Sequence, residues 1–262
     1  MFGALIGDLV GSVYEWNNYK AKDFQPIIHP RAFLTDDSVL TVAVADALLN
    51  RRGLVESFKD WGHRYPNSDW GGRFARWLFS EQTEPYGSFG NGAAMRVSPV
   101  VLLAGSLDEI LALARHSAAV THDHPEGIKG AQTTALAIHY ARLGFDAEYI
   151  RKKVADFSGY NMDRSVDEIR PGYSFDVTCQ GSVPEALICA LEATSFEDAL
   201  RNTISIGGDS DTLAAIAGPV AEARFGIPQD IGLEAWVRVP VDMRSIIEQL
   251  YERGGRCTIS NF

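Results

Sequence analysis

Apolar residues recur every three or four positions along most of the chain, the spacing that gathers them on one face of an α-helix. Thr35 to Asn50 is the clearest case, with Val39, Val42, Ala43 and Ala47 on one stripe. The same spacing predicts helices over Leu107–Val120, Gly127–Leu143, Ala147–Phe157, Val183–Thr194, Phe196–Ile204, Asp211–Phe225 and Val241–Arg253. Start and stop signals agree: Asp36 falls in a first turn, Ser195 precedes a helix, and Gly144 and Gly226 follow two others. Sustained alternation is missing, and the best strand candidate, Val237 to Val241, is broken by Pro240. With no repeat, linker or low-complexity stretch, the pattern predicts one compact all-α domain over residues 1–262, whose glycine-rich loops meet at a site.

The first predicted helix, residues 3–16, carries glycine at positions 3, 7 and 11. Each interior glycine costs about 1 kcal/mol against alanine, so a stripe of three points to close backbone packing against a second helix. Asp8 and Glu15 stand seven apart, two turns along one face of that helix, among small and apolar neighbours. A solvated acidic face would suit most helices. Here buried carboxylates with a task fit better, because ionisable groups are rarely buried without a partner.

Charge and cysteine usage narrow the function. The 262 residues sum to a net charge of -10. A broad acidic surface repels phosphate backbones, which argues against general nucleic-acid binding. It leaves room for a nucleotide ligand, since bound cations reverse the local charge. Cys179, Cys189 and Cys257 are odd in number and form no CxxC pair, so neither a disulfide framework nor a zinc site is expected. The N-terminal run lacks a basic region and is interrupted by Asp8, unlike a signal peptide. No stretch of eighteen apolar residues could span a membrane, and a reducing cytoplasm is expected.

Two segments concentrate oxygen donors at the start of apolar helices: TDDS at 35–38 and GGDSDT at 207–212. Either alone reads as an N-cap, where Ser, Thr and Asp satisfy free N–H groups at the positive helix end. One cap needs one oxygen, and each segment offers several. Four carboxylates converging at two helix starts would repel one another unless cations sat between them. Hard divalent cations such as magnesium and manganese take such oxygen ligands. The Asp209 segment is no EF-hand, because Ala214 and Val220 occupy the glycine and glutamate positions. SFGNG at 88–92 reads either as an ordinary turn or as a glycine loop whose N–H groups approach phosphate. His122, Asp123 and His124 could form a zinc pair, although that metal would normally recruit cysteine or further histidine.

TDDS and GGDSDT resemble the two metal motifs of the ADP-ribosylglycohydrolase family, which includes dinitrogenase-reductase-activating glycohydrolase and the ADP-ribosyl-acceptor hydrolases of animals. The likeness extends through GALIGDLVGSVYEW at 3–16, SFGNGAAMRVSPV at 88–100, THDHPEGIKGAQTTALAI at 121–138 and CQGSVPEAL at 179–187, in the family order. It implies an all-α, compact orthogonal helical bundle with a dinuclear site of two Mg2+ or Mn2+ ions at helix ends. It also implies hydrolysis of the bond joining ADP-ribose to a protein side chain or small molecule, with ADP-ribose as product. Carried over residue by residue, Thr35, Asp36 and Asp37 would ligate one ion, Asp209 and Thr212 the other, and Asp211 both. Glu15 would approach the second ion; Glu15 or Asp36 would move the proton, and Glu15 leans toward the serine-directed branch. Ser88, Phe89, Gly90, Asn91 and Gly92 match the pyrophosphate loop, Met95 belongs to the same substrate-binding segment, and His122 would touch ribose or phosphate. Tyr173 and Phe175 could flank the adenine, and CQGSVPEAL would be structural, with Ser182 capping its helix and Pro184 in the first turn. Two rivals stay open, a two-metal phosphoesterase and a silent ADP-ribose binder, although the intact oxygen set argues against silence.

Overall fold

The computed structural model describes residues 1–254; Cys257 and the expected domain end at Phe262 lie outside them. Among the described residues every regular element is a helix: α1 (Phe2–Gly11), α2 (Asp36–Asn50), α3 (Leu54–Arg64), α4 (Gly72–Leu78), α5 (Gly92–Met95), α6 (Pro99–Leu103), α7 (Leu107–Ala119) and α8 (Pro125–Arg142). The remainder are α9 (Ala147–Ser158), α10 (Val166–Ile169), α11 (Cys179–Glu192), α12 (Phe196–Ser205), α13 (Ser210–Phe225), α14 (Gln229–Trp236) and α15 (Val241–Gly254). The sole β pairing among these residues is a bridge between Gly90 and Thr178. No helix among the described residues is long and apolar enough to cross a membrane.

Helices α1, α2, α11 and α13 are buried along nearly their whole length, as expected for helices that are apolar on every side. The glycine stripe explains how α1 and α13 meet. A Cβ at Gly3 would overlap the carbonyl of Gly218, one at Gly7 the carbonyl of Ala214, and one at Gly11 the backbone of Asp211. The two helices therefore run antiparallel with their backbones touching. This contact delivers the end of α1 to the start of α13, where GGDSDT lies.

Two expectations about element ends need correction. Helix α1 stops at Gly11, and residues 12–18 form turns, so Glu15 does not share a helical face with Asp8. Tertiary contacts end it: Gly11 is pressed onto Asp211, and Ser12 turns its hydroxyl to the Leu9 carbonyl and accepts from the Phe33 N–H. Helix α11 begins at Cys179, capped by Thr178, and Pro184 lies in its interior. Ser182 serves inside that helix, donating to the Thr178 and Asp176 carbonyls. The start of α8 agrees with the sequence: Pro125 and Glu126 open the helix that carries the Gly127 spacing, and His124 caps it by accepting from the Glu126 N–H. Helices α3, α4 and α14 and the short α5, α6 and α10 were missed by the long-period pattern.

Candidate functional site

The starts of α2 and α13 face each other beside the end of α1. Asp8, fully buried on α1, organises the first of them. It accepts from the Thr35 N–H at 3.0 Å, the Thr35 hydroxyl at 2.8 Å, the Ser38 N–H at 3.1 Å and the Ser38 hydroxyl. The Thr35 Oγ1 in turn accepts from the Asp37 N–H at 3.3 Å and caps α2. The capping chemistry is thus real, yet it consumes only Thr35 and leaves the carboxylates free to point inward. Thr35 is buried behind the cleft and does not line it.

The two motifs are joined by Thr212, whose hydroxyl donates to Asp37 Oδ2 at 3.1 Å. Asp37 Oδ1 is buried with no hydrogen-bond partner among the described residues. One carboxylate oxygen each from Asp8, Asp37 and Asp211 lie within 4.8 Å of one another, and so do those of Glu15, Asp209 and Asp211. Asp211 is common to both groups. Neither group includes the half-buried Asp36, which lines the cleft beside them.

Burial and mutual repulsion disfavour the charged forms. Burial first, then the Asp211 charge, pushes Asp8 up to about 7 and Glu15 up to about 8. The same two causes hold Asp36, Asp37 and Asp209 well above the usual carboxylate range. Asp211 is raised as well, chiefly by burial. An all-oxygen donor set, a buried oxygen without a partner and carboxylates that resist ionisation together fit hard divalent cations. His122, Asp123 and His124 do not make a zinc pair. His122 faces the cleft, Asp123 accepts from the Gly87 N–H at 2.8 Å, and His124 caps α8.

The carboxylates form the floor of a cleft of about 570 Å3. One wall is the Ser88–Gly92 turn. Its ends are pinned to distant segments: Ser88 N–H to the Thr121 carbonyl at 3.4 Å, Asn91 N–H to the Val177 carbonyl at 2.8 Å, and Cys179 N–H to the Phe89 carbonyl at 2.9 Å. Within the turn, the Ser88 hydroxyl accepts from the Gly90 N–H at 3.2 Å. Asn91 reaches the floor, donating to Asp209 at 2.7 Å. Met95 and His122 complete that side.

Several cleft residues were not among the site residues expected from the sequence. Trp16, 78% exposed, stacks on Phe175 with ring centroids 5.3 Å apart and planes 19° apart. Asp69, in a left-handed backbone conformation (φ 53°), and Trp70 also line the cleft. Arg73 packs over Tyr86, and Arg96 lies behind His122. Tyr173, expected to pair with Phe175, instead packs against Gly208 outside the cleft. Only the exposed aromatic flanked by Glu15 was within reach of sequence reasoning, since a surface tryptophan beside a functional carboxylate is unusual.

The family model described as ADP-ribosylglycohydrolase matches residues 1–258. The chain is 27% identical over 308 residues to the mouse (Mus musculus) ADP-ribosylhydrolase ARH3, covering 87% of this chain and 83% of that protein. It is 24% identical over 249 residues to the ADP-ribosyl-[dinitrogen reductase] glycohydrolase of Rhodospirillum rubrum, covering 86% and 84%. Among solved structures, a chain titled ADP-ribosylglycohydrolase-related protein complex superposes with a TM-score of 0.73 at 24% identity, covering 97% of this chain and 95% of that one, a likeness of fold. With a family match over nearly its whole length and the motif oxygens gathered at one cleft, this chain belongs to the ADP-ribosylglycohydrolase family.

Proposed function

We propose that the chain, working as one domain over residues 1–262, hydrolyses the glycosidic bond between ADP-ribose and an acceptor, with two Mg2+ or Mn2+ ions held by its carboxylates. The observation that carries this is the position of Asp211, shared by two three-carboxylate groups on the floor of a glycine-walled cleft. Asp37, Asp209, Asp211 and Thr212 would hold the ions, with Asp36 and Glu15 at the cleft side; Thr35 would contribute through its cap of α2. When bound, divalent cations supply the positive charge that binds ribose hydroxyls and makes a water more acidic.

The chain's own residues do the remaining work. Ser88, Phe89, Gly90, Asn91 and Gly92 would seat the pyrophosphate, where glycine allows close backbone approach. That places the distal ribose over the carboxylate floor. Positive charge develops at C1″ as the acceptor leaves, as at other glycosidic centres, and surrounding carboxylates stabilise it. Glu15, or Asp36, would hold and move the proton at its carboxyl oxygen. Met95 and His122 would bound the substrate on the side of the glycine turn. The acceptor, a protein side chain or a small molecule, would leave past Trp16 and Asp69. We place the protein in the cytoplasm, where the buried thiols of Cys179 and Cys189 stay reduced.

The test is incubation of the full chain with serine-linked and arginine-linked ADP-ribosylated proteins plus magnesium. Release of free ADP-ribose supports the proposal. Release of AMP would identify a phosphoesterase, and no product would mean a silent binder or a different acceptor, which ADP-ribose binding followed by assays on further acceptors separates.

A further inference from the structure

Behind the glycine turn lies a chain of three side chains that neither the metal motifs nor the pyrophosphate loop accounts for. Arg96 is fully buried, and its Nε and Nη1 have no hydrogen-bond partner among the described residues. Its Nη2 donates to the Ser117 carbonyl at 3.1 Å and to Thr121 Oγ1 at 2.9 Å. Thr121 is also fully buried, and its Oγ1 lies 2.7 Å from His122 Nδ1. The backbone carbonyl of Thr121 accepts from the Ser88 N–H, so the same residue anchors the turn. The opposite ring nitrogen, Nε2, faces that turn: a Cβ at Gly90 would sit 3.4 Å from it, and one at Gly92 3.3 Å.

Donor counting decides the tautomer. A guanidinium only donates, so Thr121 Oγ1 must accept from Arg96. The hydroxyl is left with one proton and one lone pair. If His122 Nδ1 carried hydrogen it would fill that lone pair and strand the buried hydroxyl proton, at the cost of an unmade hydrogen bond. If Nδ1 is bare, the hydroxyl donates to it and both groups are satisfied. The imidazole hydrogen then resides on Nε2, directed into the cleft. Burial, with help from the Arg96 and Arg73 charges, also drives His122 far below the ordinary histidine range, so the ring is neutral.

We propose that Arg96 and Thr121 form a positioning relay that locks His122 as its Nε2–H tautomer, presenting a fixed donor to a phosphate oxygen seated against the Gly90–Gly92 turn. Arg96, whose guanidinium lies over the Phe58 ring at 4.7 Å, adds positive charge on the Thr121 side of that histidine. His122 is then a hydrogen-bond donor and takes no part in proton transfer. The identity of the phosphate rests on the ADP-ribose assignment; the tautomer does not.

The test is nitrogen-15 NMR of the full chain labelled at histidine, with His122→Gln marking the signal, followed by calorimetry with ADP and with adenosine. The expected wild-type spectrum shows a neutral Nε2–H ring from pH 6 to 8. Thr121→Val should lose the single tautomer and weaken ADP binding by roughly tenfold to a hundredfold, the range for one hydrogen bond to a charged group. Adenosine binding should not change, and Thr121→Ser should restore both tautomer and ADP affinity. In turnover the loss should fall on KM more than on kcat. An Nδ1–H or imidazolium signal in the wild type overturns the relay even if Thr121→Val fails to fold, and so does unchanged ADP affinity in a folded Thr121→Val. An Nε2–H ring that responds to Thr121→Val in a protein that never releases ADP-ribose would support the relay and sink the assigned activity instead.

Discussion

Asp211→Asn should stabilise the cation-free protein and destroy its response to magnesium. Asp211 is the neighbouring charge that most raises Asp8, Glu15, Asp36, Asp37 and Asp209. At the 4.8 Å limit of its two oxygen groups, a pair of unit charges at an effective dielectric of 20 repels by about 3 kcal/mol. The cation-free protein avoids part of this by keeping protons. Asp8, lifted from 3.8 to about 7, favours its protonated form by ~4 kcal/mol more in the folded than in the unfolded chain. Because the folded value lies above the unfolded one, that stability is full below 3.8 and is lost as pH rises through 7. The repulsion is therefore felt most at pH 8. There the asparagine variant, less the hydrogen bond that Asp211 accepts from the Thr212 N–H at 2.9 Å, should gain about 1–3 kcal/mol, or roughly 3–8 °C in Tm. At pH 6 the gain should shrink. Magnesium at a hundred times its Kd should stabilise the wild type by about 2.7 kcal/mol and the variant hardly at all. Scanning calorimetry in EDTA and in magnesium, at both pH values, measures all four differences. A variant that melts below the wild type in EDTA at pH 8, or that gains as much from magnesium, would refute the convergent-charge account.

Four further outcomes follow from the same geometry. In the wild type without cations, raising pH from 6 to 8 removes most of a proton from Asp8, at about 7, and part of one from Glu15, at about 8, and the Asp8 share alone should cost ~1 kcal/mol; magnesium should flatten this slope, and an equal slope in both buffers would count against cation binding at these carboxylates. Glu15→Gln should lower turnover by about a hundredfold while ADP-ribose binding survives in calorimetry; unchanged turnover would leave Glu15 a bystander. Gly90→Val would press its side chain toward Ser88 Oγ and His122 Nε2, so ADP-ribose affinity should fall while ribose affinity holds, and equal losses would indicate misfolding. Gly7→Ala would drive a Cβ into the Ala214 carbonyl and should destabilise by about 1–3 kcal/mol as an overpacked contact; an unchanged Tm would deny the close packing of α1 on α13.

Much of the molecule was legible because its signals are local. Helical spacing, caps and terminal glycines report on interactions four residues long, and they located α2, α7, α9, α12, α13 and α15 to within two residues at each end. The stripe of Gly3, Gly7 and Gly11 announced a backbone-to-backbone contact, since nothing else repays three glycines in a buried helix. TDDS and GGDSDT declared their chemistry because more oxygens stand there than two caps can use. Which partner received the glycine stripe was decided only by packing, which ran α1 antiparallel along α13 and so set Asp8 behind Thr35 and Ser38. The same packing ended α1 at Gly11 and turned Glu15 toward Asp209 and Asp211, where spacing had placed it on the face of Asp8. Trp16 found Phe175, and Arg96 found Thr121, across 159 and 25 residues of chain. Such pairings lie beyond any local period, because the free energy that makes them comes from burying helices whose order in space the periodicity leaves open.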